Sequence, residues 1–256
     1  MAKKLAELTD YQKYYLDGYT VKKFKNDDLL ARLKKSLFDI CNEDLKEGFS
    51  LDQKYHNTKD LRPEAFEYDS VFIDILIENN VKDLIKNLTG KNLTLNHVQV
   101  RVSDFEKSQS YMPWHRDSYV SGDELVGNIP PAHKIIFYPA FSDSDVRDCL
   151  ALVKGSQICT FQKQEKNQFV LPGFSQFDAE VMKVSSIETY KASKDQFILF
   201  NTAMLHHVIP SESQQRSVRI IYSFVEKSQF NEIYASKTGH LKLNNAYENA
   251  IAIKEL

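Results

Sequence analysis

His115-Arg116-Asp117 sets an imidazole and a carboxylate two residues apart. In an extended strand, residues i and i+2 project to the same face, so these two side chains can converge on one metal ion. The tripeptide alone is a weak signal, because a His and an Asp near a turn arise often by chance. A second segment, residues 200–224, adds weight to it. There His206-His207 closes an apolar run, and after a polar turn Arg216 and Arg219 lead into the next strand. Two imidazoles and one carboxylate form a facial set that leaves three positions of an octahedral ion open, the arrangement of non-haem Fe(II) oxygenases. An arginine beyond the second histidine can pair bidentately with a carboxylate of an organic acid chelating the same metal. His115, Asp117 and a distal histidine are therefore the candidate metal ligands and the candidate catalytic centre.

The distal histidine and its arginine each come in two versions. His206 puts Arg216 at +10, whereas His207 puts Arg219 at +12. The arginines are three positions apart, so strict alternation turns them to opposite faces of a strand. On the residues alone both sets stay open; taking His206 with Arg216 leaves Arg219 either facing solvent or as a second carboxylate anchor. Gln99 and Arg101 alternate on the strand before the first motif, where they can face a co-substrate or be ordinary strand surface. His56, His133 and His240 sit in polar surroundings and read as surface residues; His97 fits a packed strand position equally well.

These residues need elements to hold them. Residues 1–92 read as mainly helical support. Thr9 and Gln12 form a capping box for a helix ending near Gly18. Asn26-Asp27-Asp28 can cap a second helix carrying Leu29, Leu30, Leu33, Leu37 and Ile40 at helical spacing. A third starts at Ser70, and a fourth runs from Val81 to a stop at Gly90. From about Leu93 the period changes to two. Short β-branched and aromatic runs at 95–102, 134–141, 149–153, 197–200 and 218–225 are separated by turn residues. The fold class is α+β: a sandwich or barrel over residues 93–228, helices on one side, and a C-terminal extension over 229–256.

With 256 residues and no Gly/Ser/Pro-rich divider or repeat, a single domain is the economical reading. Hydrophobic residues at 42% and charged residues at 27% exclude wholesale disorder. Thirty-three Lys+Arg against 35 Asp+Glu argue against a generic nucleic-acid partner. No apolar run approaches a membrane span, and the N-terminal stretch lacks the apolar segment of a secretory signal. Three cysteines without C-x-x-C spacing fit reduced thiols in a cytoplasmic protein.

Several stretches, in order, resemble the Fe(II)/2-oxoglutarate-dependent dioxygenases, and within them the phytanoyl-CoA dioxygenase-like family. Residues 14–24 are similar to the helix-and-strand opening of that family. Trp114-His115-Arg116-Asp117-Ser118-Tyr119 resembles its first metal motif. Residues 148–157 resemble its segment ending in Pro-Gly-Ser-His, with Lys154 and Gln157 departing from the usual Pro and His. Residues 194–201 resemble the strand before the distal histidine. The resemblance implies a double-stranded β-helix (jelly-roll) core, and Fe(II) on His115, Asp117 and His206. It also implies 2-oxoglutarate chelating that iron with its distal carboxylate on Arg216, and O2 as oxidant. The implied reaction hydroxylates an unactivated C–H of a small molecule, with succinate and CO2 as co-products. Asp117 sets the chain apart from related halogenases, which replace the carboxylate with a small residue. Arg101, Lys134 and Arg219 suit an anionic substrate. The loop 118–131, with Tyr111, Trp114 and Tyr119 around it, is expected at the mouth of the site, although aromatic packing at a barrel rim explains Trp114 as well.

Two other classes remain in competition. A non-catalytic jelly-roll binding protein would be expected to lose a ligand or the arginine. A zinc hydrolase using the same three ligands leaves the arginine unexplained and offers no general base at a convincing spacing.

Overall fold

The computed structural model describes residues 8–46, 57–60, 69–103, 114–121, 124–127, 133–137, 149–158, 169–171, 174–191, 196–209, 217–228, 230 and 238–254. Arg216 and Tyr111 lie outside the described residues, as do 122–123 and 128–131; the described remainder of the expected 118–131 loop is instead two paired antiparallel strands.

Local chemistry starts and stops the first helices where the sequence analysis places their signals. The Thr9 hydroxyl accepts from the Gln12 N–H at 3.2 Å, and Gln12 Oε1 accepts from the Thr9 N–H at 2.9 Å, opening α1 (Asp10–Asp17). Gly18 closes it at φ 86°, a left-handed conformation that glycine adopts without steric cost. The chain continues as β1 (Tyr19–Lys23), and the Asn26 side chain accepts the Leu29 N–H at 3.0 Å to cap α2 (Asp27–Lys46). After β2 (Asn57–Asp60) come α3 (Val71–Glu78) and α4 (Val81–Thr89), the latter stopped at Gly90 with φ 72°.

The strand-rich part comprises β3 (Leu93–Ser103), β4 (Ser118–Ser121), β5 (Glu124–Gly127), β6 (His133–Phe137), β7 (Cys149–Val153), β8 (Phe169–Leu171) and β9 (Phe174–Ser175). It continues through a helix, α5 (Gln176–Val184), to β10 (Ile187–Lys191), β11 (Gln196–Asn201), β12 (His206–Ile209) and β13 (Ser217–Glu226). A final helix, α6 (Thr238–Lys254), follows. Sequence patterning singled out neither α5 nor α6.

Among the described residues, six strands pair in the order β1-β11-β6-β13-β3-β2, and three in the order β10-β7-β12. Two of the six, β1 and β2, come from the part of the chain read as mainly helical, and both take edge positions. All the pairings are antiparallel.

Period-two alternation sorts the side chains of the larger sheet. Phe197 and Leu199 of β11 and Ile220, Tyr222 and Phe224 of β13 join the core under the helices, with Leu33, Phe72, Ile85 and Tyr247. Ile198, Phe200 and Ile221 face the other way and pack on Leu150, Leu152, Tyr190 and Val208 of the smaller sheet. The two sheets thus form a sandwich, with helices covering the outer face of the larger sheet. The outer face of the smaller sheet is covered by α5, through Val181 against Val153 and Leu205. Among the described residues no helix is long and apolar enough to cross a membrane.

The helical layer has its own polar tie. Asp69 accepts the Val71 N–H at 2.9 Å, opening α3 in place of a Ser70 cap, and it also receives the Ser36 hydroxyl and Arg32 from α2. Partial burial pulls its carboxyl upward, but the Ser36 and Val71 bonds and the Arg32 charge outweigh that and hold it below the usual carboxylate range. A carboxylate with a lowered folded-state value contributes stability above its unfolded pKa and loses it as pH falls through the folded value. Asp69→Asn is expected to cost about 1–2 kcal/mol at neutral pH. The gap to wild type in thermal melts should close below about pH 4; a gap that persists at low pH would show that charge is not what Asp69 contributes.

Candidate metal centre

Each ligand-bearing segment is fixed by backbone hydrogen bonds. His115 forms an isolated antiparallel bridge with His206, beside the β12 edge of the smaller sheet: each N–H donates to the other's carbonyl at 3.0 Å. The Asp117 and Ser118 N–H groups both donate to the Thr202 carbonyl, at 3.0 and 3.2 Å, and the Ser118 and Thr202 hydroxyls lie 2.6 Å apart. The turn before β12 is thereby stitched to the His115–Asp117 segment on two sides.

The side chains follow from this. The imidazoles of His115 and His206 stand 4.2 Å apart, centroid to centroid. Asp117 Oδ1 lies 3.6 Å from His115 Nε2, and Oδ2 lies 3.4 Å from His206 Nε2. One donor atom from each of the three falls within 4.8 Å of the others. Donors about 2.1 Å from a common ion stand about 3.0–3.4 Å apart for right-angled to tetrahedral arrangements, so the spacing is close to that of a shared ion. His206 Nδ1 lies 3.0 Å from the Met204 carbonyl. A carbonyl only accepts, so Nδ1 carries the proton and Nε2 keeps the lone pair a metal requires. Both histidines are buried, and Phe200 meets His206 edge-on at 5.1 Å. Two imidazole nitrogens and one carboxylate on one side of a shielded space fit a divalent transition metal with open positions.

Of the two adjacent histidines, His206 turns toward His115 and Asp117. His207 turns the other way, its ring 5.5 Å from that of Trp114 on the side covered by α5. Arg219 shares its face of β13 with Ile221, so it points between the sheets, and it is 2% exposed. The solvent-facing alternative for Arg219 is thus excluded. Gln99 is half-buried and pairs in register with Ile221, two residues along β3 from the Arg219–Arg101 pair.

Sequence reasoning missed several supports. Arg116 reads in the sequence as a spacer, yet it is buried and bonded to Asp178 of α5. Thr202 and Met204 act through backbone carbonyls, which no side-chain pattern reveals. The two departures from the family segment both engage the end of α1. Gln157 Nε2 donates to the Tyr15 carbonyl at 2.7 Å, and Lys154 pairs with Asp17 at 3.1 Å, a bond that raises the lysine pKa. Gly18 is tightly confined there: a Cβ would stand 2.3 Å from Gln157 Oε1 and 2.5 Å from Met204 Sδ.

No family model matches the sequence, and no curated protein matches it. Solved structures do. EvdMO1 is 15% identical over 85% of this chain and 49% of its own, with TM-score 0.59, so the chain spans about half the length of that protein. The epimerase SnoN, in complex with Fe3+, alpha ketoglutarate and nogalamycin RO, is 13% identical over 84% of this chain and 81% of its own, with TM-score 0.62. EctD from S. alaskensis, with 2-oxoglutarate and 5-hydroxyectoine, is 15% identical over 84% and 74%, with TM-score 0.62. The chain therefore has the fold of the Fe/2-oxoglutarate-dependent enzymes.

The geometry distinguishes the neighbouring histidines sharply. His206→Ala and Asp117→Ala should each weaken Co(II) binding by at least about 100-fold in titrations followed by visible absorption. His207→Ala should stay within a few-fold of wild type, because its ring lies on the far side of the strand. Equal losses from His206→Ala and His207→Ala would contradict this placement.

Proposed function

We propose that this chain is a non-haem Fe(II)/2-oxoglutarate-dependent oxygenase of the phytanoyl-CoA dioxygenase-like type, acting on a C–H bond of a small molecule. The observation that carries the reading is a buried, inward-facing arginine in the same inter-sheet space as a His-Asp-His cluster. A zinc hydrolase accounts for the cluster but leaves the buried cation unexplained. The antiparallel sandwich and the bridge from His115 to the β12 edge support a double-stranded β-helix core. The related fold of SnoN and EctD, both solved with 2-oxoglutarate, supports the choice of co-substrate.

His115, Asp117 and His206 hold the iron in this reading. Iron with 2-oxoglutarate supplies the oxidising chemistry, releasing succinate and CO2; the residues of this chain orient, shield and select. The Met204 carbonyl fixes the His206 tautomer. Phe200, Leu152 and Val208 line the apolar side and keep water from the reacting centre. Arg219 takes the distal carboxylate of 2-oxoglutarate. Ser223 stands level with Lys134 and Phe200 across the sheet, and Phe200 touches His206. Arg219 is four residues from Ser223 on the same strand, about 13 Å along it. A short dicarboxylate chelating the metal at one end, met by a long side chain at the other, suits that separation.

The resemblance implies Arg216 for this role; the burial and facing of Arg219 favour Arg219. Gln99, on the same face, is placed to contact the co-substrate or substrate. Arg101 and Lys134, which register sets beside Arg219 and Ser223, support a substrate with an anionic group. Hydroxylation is the simplest outcome for such a centre, and three cysteines without C-x-x-C spacing agree with a cytoplasmic setting.

The test is oxygen-dependent succinate formation as 2-oxoglutarate is varied. Losing one charged partner of a buried carboxylate costs about 2–5 kcal/mol, so Arg219→Ala should raise the 2-oxoglutarate requirement steeply while Fe(II) binding stays near wild type. Arg216→Ala should change it little. The reverse pattern would return the role to Arg216, and no 2-oxoglutarate turnover by wild type would end the oxygenase reading.

A further inference from the structure

Arg116 stands between two candidate ligands, and alternation turns its side chain away from both. It is nevertheless 6% exposed. Its guanidinium reaches acceptors on three other segments. Nε donates to Asp178 Oδ1 at 2.9 Å, and Nη2 lies 2.8 Å from the same oxygen. Nη1 donates to the Ser156 carbonyl at 2.9 Å and also to the Ala203 carbonyl. Asp178 is held in turn: its Oδ2 accepts the N–H and the hydroxyl of Ser175, both at 2.9 Å, in the capping box that starts α5. The Ser156 hydroxyl accepts the Leu205 N–H at 2.9 Å. Ala203 and Leu205 flank Met204, whose carbonyl orients His206.

One planar group therefore joins the His115–Asp117 segment, the turn after β7, the turn before His206 and the first turn of α5. We propose that Arg116 is a positioning residue for the metal centre: its fork sets the spacing between the His115–Asp117 segment and the His206 turn, with the α5 cap as its anchor. This rests on the metal centre proposed above. The acceptors come from three separate segments, which suits the several divergent donors of a rigid fork. Lysine, with three donors on a single atom and no fork, does not reproduce it. Groups that orient ligands without touching the ion commonly change metal affinity by about 10–100-fold when removed.

The competing explanation is that the pair stabilises the fold and nothing more. Co(II) titration of the metal-free full chain, read by visible absorption, separates the two when paired with thermal melts of the metal-free protein. The variants are Arg116→Lys, Arg116→Met, Asp178→Asn and, as comparison, Val181→Ala. Val181 is buried on α5 against Val153 and Leu205, so its truncation loosens the same helix without touching the fork. Each fork variant is expected to bind Co(II) about 10–100-fold more weakly, with a changed d–d spectrum. Val181→Ala should bind as wild type does even where its melt falls as far. If Arg116→Met fails to fold, Arg116→Lys and Asp178→Asn decide the matter. Wild-type affinity and spectrum in those two, or an equal loss in Val181→Ala, would overturn the positioning role. Absence of Co(II) binding by wild type would instead remove the metal centre itself, and this inference with it.

Discussion

His115 and His206 exchange two backbone hydrogen bonds of 3.0 Å, and the candidate site depends on that short bridge. Antiparallel partners on one face of a sheet stand within a few ångströms of each other, so the bridge alone makes neighbours of two imidazoles far apart in sequence. Alternation then returns Asp117 to the same side. The bridge does not stand by itself, since a backbone hydrogen bond contributes only about 0.5–1.5 kcal/mol net. It persists because β12 is paired along its length with β7, and because Thr202 receives Asp117 and Ser118. Ligand geometry is thus a by-product of sheet register, and a one-residue slip would turn His207 inward in place of His206.

The larger sheet divides its labour by parity. Even-numbered residues of β13 (Ile220, Tyr222, Phe224) lie in the core beneath the helices, while Arg219 and Ile221 face the smaller sheet. Tyr222 shows how the helical side is closed. Its hydroxyl donates to the Phe72 carbonyl at 2.8 Å, and complete burial raises its pKa well above the ordinary tyrosine value. Substitutions at such positions act through stability. In the reading proposed above, changes at Arg219 act through what the interior can bind. That separation allows a buried cation to be kept where a core built for stability alone would place an apolar residue.

Much of this was legible in the sequence because it rests on local chemistry. The Thr9–Gln12 capping box, Gly18, the Asn26 cap and Gly90 each act within a turn of their position and appear in the structure as read. The His-x-Asp spacing implied a shared face because alternation is a property of any strand. The entry of β2 into the larger sheet was not legible, since a four-residue edge strand of polar side chains carries little periodicity; a strand at β1 was implied only by the resemblance of residues 14–24 to a helix-and-strand opening. Helix α5 was hidden for a related reason: its nine residues bury mainly Asp178 and Val181, too few for an apolar pattern. Spacing from the histidine separates Arg216 from Arg219 only for a known turn length. Facing is decided instead by the register of β13, with Arg219 paired to Arg101, and a single sequence does not disclose pairing.

The claim on which everything else hangs is that the triad and Arg219 serve one chelated co-substrate. Anaerobic addition of 2-oxoglutarate to the Fe(II)-loaded protein, followed by visible absorption, tests it most directly. The expected result is a weak charge-transfer band that saturates with 2-oxoglutarate, is absent in His206→Ala, and decays on admission of oxygen with formation of succinate. Fe(II) bound by the wild-type protein with no band and no succinate at any 2-oxoglutarate concentration would contradict it.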